Sequence, residues 1–213
     1  MAGRENGLQS RLKGLWSRRV FRAAVFFLGI IFIVPGLLLG FFQSNDVEQT
    51  IVPGDVNDFE FESFAASYQL SLDEDGLSVL GVQETLVALF PERDQNRGLF
   101  RYIPDRYEGD PLDTQVFSLV DESGVPRPLE TYLEGDFMVV DTAVPKGSFL
   151  RGRQTFVLDY LQSNVLREFE EDGIWWFYWD VNGTGWLQPF QSVSAGVEID
   201  SSLAQDLVAD RIH

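Results

Sequence analysis

Cysteine is absent from all 213 residues, and histidine occurs once, at His213. The first absence excludes disulfides, thiolate metal ligands and a cysteine nucleophile. The second removes His-rich metal spacings and any interior imidazole base. Basic residues are scarce beyond the first 22 positions: from Asp46 onward, ten stand against 32 acidic ones. Such a balance argues against nucleic acid, whose phosphates require Lys and Arg, and reads as a solvated acidic face. Nucleophile elbow and phosphate-loop motifs are also missing, so no catalytic residue, no metal and no cofactor is expected. A disulfide-free domain outside the cytoplasm fits a bacterial chain better than a eukaryotic one.

What is present begins with a contrast in charge. Arg4, Arg11, Lys13, Arg18, Arg19 and Arg22 stand against Glu5 alone, and residues 23–45 carry no charge. As a helix, those roughly 23 residues rise about 34 Å, enough to cross a hydrocarbon core of about 30 Å. Pro35 and Gly36 inside the run are tolerated in membrane helices. The basic cluster holds the N-terminus in the cytoplasm, so the rest of the chain is expected outside. A cleaved signal is the rival reading, but its apolar core is shorter and ends at a small-x-small site, which residues 38–43 do not offer. The expected partner of this segment is the lipid bilayer.

Aromatic residues concentrate late. Residues 174–186, IWWFYWDVNGTGW, hold four of the five tryptophans. At a period of two, Trp175, Phe177 and Trp179 share one face and Ile174, Trp176 and Tyr178 the other, so both faces are apolar and the strand belongs inside a packed domain. Asp180, Asn182, Gly183, Thr184 and Gly185 then form a turn. Tyr68, Leu70 and Leu72 alternate with polar residues, turn at Glu74-Asp75-Gly76, and return over 77–90 as a hairpin. Further strands are expected at 116–120, 131–133, 137–140 and 154–160. Val193, Ala195, Val197 and Ile199 predict a last strand with one core face. The expected architecture is mainly β, an antiparallel β-sandwich of immunoglobulin-like kind, preceded by one transmembrane helix. It divides into a basic segment (1–22), the anchor (23–45), a spacer with the first strand (46–66), the sandwich (67–200) and a short helical tail (201–213) capped by Ser201 or Ser202.

Two stretches carry a family likeness. Asn96-Arg97-Gly98-Leu99-Phe100-Arg101-Tyr102-Ile103-Pro104, followed by Arg106-Tyr107, resembles the Asn-x-Gly-aliphatic-aromatic-Arg-x-Ile-Pro motif of the YciQ-like predicted membrane proteins of bacteria. Trp179-Asp180-Val181-Asn182-Gly183-Thr184-Gly185-Trp186 resembles that family's Trp-Asn-Val-x-Gly-x-Gly-Trp signature, with Asp180 in place of Asn. The Gly-Arg-Gln-Thr-Phe run at 152–156 also matches. The resemblance implies a β-sandwich held outside the membrane, in a group whose biochemical function is not established.

The candidate binding or motif residues are Arg101, Arg106, Tyr107, Trp179, Asp180, Asn182 and Trp186. Arg101 and Arg106 suit either a carboxylate or phosphate clamp or an internal ion pair, and the acidic surroundings favour the pair. The tryptophans suit core packing, with a surface groove bordered by Trp186 as the other reading. Asp180-x-Asn182-x-Thr184 begins like a calcium loop, but the twelfth position is Gln191 rather than Glu, which favours a plain hydrogen-bonded turn. Asn182-Gly183-Thr184 also spells a glycosylation triplet, without weight in a bacterial chain. The expected function is a non-enzymatic binding or scaffold module in a cell-envelope assembly, with a protein partner there. The alternatives are a carboxylate-dependent glycan hydrolase or sugar-binding domain using the Trp cluster, or a fragment of a larger multi-pass membrane protein.

Overall fold

The computed structural model describes residues 23–27, 54–169, 174–205 and 207–212. The basic segment, residues 28–45 of the expected anchor and the start of the spacer lie outside the described residues. In chain order the strands are β1 (Ala23–Phe27), β2 (Glu60–Leu72), β3 (Ser78–Phe90), β4 (Phe100–Pro104), β5 (Arg106–Tyr107), β6 (Asp110–Pro111) and β7 (Gln115–Val120). They continue with β8 (Glu130–Glu134), β9 (Phe137–Asp141), β10 (Gly152–Ser163), β11 (Arg167–Phe169), β12 (Ile174–Trp179) and β13 (Val193–Ile199). A four-residue helix α1 (Ser201–Ala204) and β14 (Leu207–Ile212) close the described chain.

The main sheet runs β13-β2-β3-β10-β7. Its spine is the long hairpin β2–β3, whose turn forms because the Asp73 carboxylate accepts from the N–H groups of Asp75 and Leu77 at 3.0 and 2.8 Å. β10 adds to β3 and β7 to β10, all antiparallel. The pleat sends Phe64, Ala66, Tyr68 and Leu70 of β2 to one face, with Leu80, Val82, Leu86 and Ala88 of β3 and Phe156, Leu158 and Tyr160 of β10. A second sheet, β4-β9-β8, lends Ile103 and Val140 to the same core, and Phe177 of β12 joins it. The domain is mainly β, as the alternating patterns imply, and its apolar layer is shared by the five-stranded sheet, the three-stranded sheet and the four-stranded sheet β11-β12-β1-β14 that carries Phe177.

Several expectations need correction. The first core strand begins at Glu60, eight residues before the alternation is clean, because a register shift between Phe61 and Ser63 breaks the period of two. The sandwich is not wholly antiparallel: β13 runs parallel to β2 at the sheet edge. Only Val197 and Ile199 of β13 pack on the core, while Val193 and Ala195 are exposed on this edge strand. Residues 23–27, expected to open the membrane helix, form a strand paired in parallel with β12 and β14. A short run of Ala, Val and Phe serves a buried strand as well as a helix, and periodicity does not separate the two. No helix among the described residues is long and apolar enough to cross a membrane. The tail is helical only over Ser201–Ala204 and then becomes β14, since sheet pairing outweighs the weak propensity of so short a helix. Asp200, not a serine, is its cap, accepting from Ser202 N at 2.8 Å.

Candidate functional site

The two motifs meet at one charged residue in the core. Glu84 of β3 stands in register between Ala66 and Leu158 on the inner face of the main sheet, and it is fully buried. A lone carboxylate there is tolerable only if its oxygens are occupied. Arg101 of β4 supplies the partner, Nε to Oε2 at 2.8 Å and Nη2 to Oε1 at 2.7 Å, a bidentate fork. Tyr160 of β10 donates its hydroxyl to Oε1 at 2.8 Å. The third guanidinium nitrogen, Nη1, donates to the Tyr102 carbonyl at 2.8 Å. Burial pulls the Arg101 pKa down, but the charge and hydrogen bonds of Glu84 outweigh it and hold the guanidinium above its ordinary value. Burial, reinforced by Glu84, pushes the Tyr160 hydroxyl well up, and Tyr68 is raised for the same two reasons.

The first motif is built to deliver that arginine. Asn96 is buried and donates Nδ2 to the Val56 carbonyl at 2.7 Å. Gly98 lies against Thr142, whose backbone carbonyl carbon would sit 2.7 Å from any Cβ there. Leu99 N donates to Thr142 Oγ1 at 2.8 Å, which fixes the start of β4. Alternation then turns Arg101 and Ile103 inward and Phe100 and Tyr102 outward.

The second motif closes over the guanidinium. A Cβ on Gly183, at φ +70°, would stand 2.5 Å from Arg101 Nη1, so only glycine lets the loop lie so close. Gly183 N donates to the Asp180 carbonyl at 3.3 Å, the hydrogen-bonded turn. Trp186 donates Nε1 to the Asn182 carbonyl at 2.8 Å and packs edge-on against Phe61, its ring 5.9 Å from the Arg101 guanidinium. Trp179 stacks parallel to Phe177 with centroids 5.9 Å apart. Tyr68 donates its hydroxyl to the Val181 carbonyl at 2.6 Å.

Beside this seam is a cavity of about 110 Å³, with Tyr107, Tyr178 and Trp179 on its walls and Arg106, Asp180 and Thr184 among its other lining residues. Arg106 and Tyr107 reach it through the hairpin β5–β6, whose turn residues Glu108 and Gly109 both have positive φ. The Arg106 guanidinium donates to the Gly109 carbonyl at 2.8 Å and lies 3.6 Å from exposed Asp136. Tyr178 donates to Asp180 at 3.2 Å. Burial and then Asp180 raise the Tyr178 pKa, and burial and then Glu108 raise that of Tyr107. The opening suits a single side chain or small ring.

The structure thus brings all seven sequence candidates to one end of the sandwich but divides them. Asn182 and Trp186 are packed into the seam, Arg106, Tyr107 and Asp180 line the small cavity, and Arg101 and Trp179 belong to the seam and also border the cavity. Sequence reasoning missed Glu84, Tyr160, Tyr178 and the particular role of Gly183. Glu84 had a signal: it is the one acid in the run Leu80, Val82, Glu84, Leu86, Ala88.

A solved structure of a candidate protease from Parabacteroides distasonis ATCC 8503 is similar at 15% identity over 50% of this chain and 23% of that one, with a TM-score of 0.29, too partial a likeness to bear on fold or activity. No curated protein matches the chain. Residues 65–207 match the model described as "Predicted membrane protein (DUF2207) N-terminal domain". That span takes in both motifs, the Arg101–Glu84 pair and most of the chain, and the chain therefore belongs to this family of predicted membrane proteins.

Proposed function

We propose that the chain is a YciQ-like, membrane-anchored module whose β-sandwich stands outside the membrane and binds a partner in an envelope assembly, without catalysing a reaction. The observation that carries this reading is the outward face of β4-β9-β8. Phe100, Tyr102 and Tyr132 are all exposed on it, while the same small sheet is clamped from beneath by a closed ion pair. Exposed aromatic side chains on a rigid support are the composition of a recognition surface. The motif arginine is engaged by Glu84, and the cavity beside it is too small to grip a polymer at a scissile bond.

Two experiments test the reading. The absence of cysteine makes Ser148→Cys, at an exposed loop position, the sole thiol of the chain. A membrane-impermeant maleimide should label it in intact cells, and labelling only after lysis would put the domain on the wrong side. A photo-reactive residue in place of Tyr132, Phe117 or Thr184, in the full chain in its own membranes, should then yield a discrete adduct from at least one face. Folded protein without adducts from any of the three, or glycan cleavage lost with Asp180→Asn, would overturn the module in favour of an enzyme.

A further inference from the structure

The rims of the five-stranded and three-stranded sheets are not treated alike. β7, at one end of the main sheet, is covered by the following segment: Val120 bridges Pro126, and Arg127 N donates to the Leu119 carbonyl at 2.9 Å. β4, at one end of the small sheet, has side chains on its carbonyls, Arg101 on Tyr102 at 2.8 Å and Gln162 on Pro104 at 2.6 Å. β8, at the other end, pairs with β9 in unbroken register, and among the described residues no loop or side chain caps its outer edge. All five of its residues are exposed, Leu133 at 63% and Tyr132 at 44%. An edge strand without proline, lysine or bulge is a ready template for another strand. β13 is also a terminal strand, but Ser194, Ala195 and Gly196 offer an incoming side chain little to pack on.

The charges on β8 say which strand it accepts. Glu130, Tyr132 and Glu134 lie on one face, so a carboxylate flanks the aromatic ring on either side. A second copy of this chain, pairing antiparallel about Tyr132, would set Glu130 against Glu134 twice. Like charges directly opposite each other destabilise a strand pair, so the edge rejects itself. The strand that fits has a cation, an apolar side chain and a cation at alternate positions, with apolar residues between them to meet Leu133 on the other face.

We infer that the outer edge of β8 binds an extended, basic-apolar peptide segment by strand addition, with Glu130 and Glu134 selecting its cations and Tyr132 its central apolar side chain. The inference rests on the module reading and names the chemistry of the partner. Main-chain hydrogen bonds supply affinity in this mode, and alternate side chains supply selectivity.

The test uses the full chain in detergent and three capped peptides: Lys-Val-Phe-Val-Lys, Glu-Val-Phe-Val-Glu, and the lysine peptide with proline at its centre. The lysine peptide should bind and slow hydrogen exchange of β8 amides, with the other two weaker by about tenfold or more. The double variant E130K/E134K, altered only at exposed positions, should reverse the preference in favour of the glutamate peptide. The single variant E130K should self-associate with concentration, because the same two-fold pairing then sets opposite charges together, while the parent stays monomeric. Unchanged binding of the lysine peptide by the double variant, or equal binding of the proline peptide, would overturn strand addition. A parent dimer with β8 amides protected would overturn it in favour of a second copy. Discrete photo-adducts at Thr184 with no peptide binding at β8 would keep the module and remove this edge, whereas adducts from no face would remove both.

Discussion

The small sheet has two faces cut from the same five residues. On β4, Arg101 and Ile103 point inward at 2% and 0% exposure, and Phe100 and Tyr102 point outward at 49% and 36%. The inward residues are motif positions tied to Glu84, Gly98 and Gly183, so their identities are dictated by groups already in the fold. The outward ones are held more loosely: Tyr102 packs edge-on against Phe137, and Phe100 is half exposed. A recognisable motif can thus describe mainly how a platform is held, with its inward positions tied to the core and its outward ones left largely to solvent. Substitutions on the two faces should therefore differ in kind, with stability changing on one and binding on the other.

The largest effect is expected from Arg101→Ala. It leaves the Glu84 carboxyl without its main partner in a dry interior, and removing one partner of a buried pair costs about 3–5 kcal/mol. Chemical denaturation should show it. Replacing both members, as in Glu84→Leu with Arg101→Met, should recover much of the loss, because well-packed apolar groups of similar volume need no desolvation. A double variant as unstable as the single one would mean that the fork supplies net stability beyond mutual satisfaction.

Next comes Gly183→Ala, predicted to cost about 2–3 kcal/mol from left-handed backbone strain and displacement of the guanidinium. Gly185→Ala is its control. That residue is also left-handed, at φ +87°, but a Cβ there meets nothing within 4 Å, so only the strain of about 1 kcal/mol remains. Equal losses at the two glycines would detach the second motif from Arg101.

These glycines also mark the limit of what the sequence discloses. The hairpin β2–β3, the inward residues of β10, and an internal role for Arg101 all follow from alternation, turn residues and an acidic composition, because those are local signals. The partner of Arg101 does not follow, since Glu84 lies 17 positions away and is one acid among 33. Nor does the parallel placement of β13, which depends on how a chain crossing over the sandwich returns. Nor does β14, which falls within the expected helical tail, because its pairing energy comes from remote strands. Glu84 was legible only as an anomaly, a carboxylate at a core position of a strand.

Alkaline pH separates the faces with a smaller effect. Tyr160 has a pKa raised above the ordinary value of 10.0 by burial and Glu84, and Tyr68 is raised likewise. The folded state thus holds these phenolic protons more tightly than the unfolded one. Their contribution to stability is complete below about pH 10 and is lost as pH climbs beyond it towards the folded pKa values. Tyr160→Phe should lower stability at pH 7 by about 1.5–2 kcal/mol, the worth of a hydrogen bond to a charged group. It should also flatten the fall in melting temperature above pH 10, leaving the share due to Tyr68. An unchanged slope would show that Tyr160 ionises as freely as an exposed phenol.

The smallest change in stability, within about 0.5 kcal/mol, is expected for Leu133→Thr. Leu133 is 63% exposed at the rim of the small sheet, and threonine is a good strand residue, so neither burial nor backbone preference argues for a loss. Yet it is the apolar side chain that an added strand would cover on the face opposite Tyr132. Removing it should weaken the lysine peptide about threefold to tenfold while the melting curve stays in place, since a covered leucine is worth about 1 kcal/mol or more in such a contact. A parallel loss of stability would place Leu133 with Arg101 among the residues that hold the platform. Unchanged peptide affinity would confine recognition to the Tyr132 face and its two carboxylates.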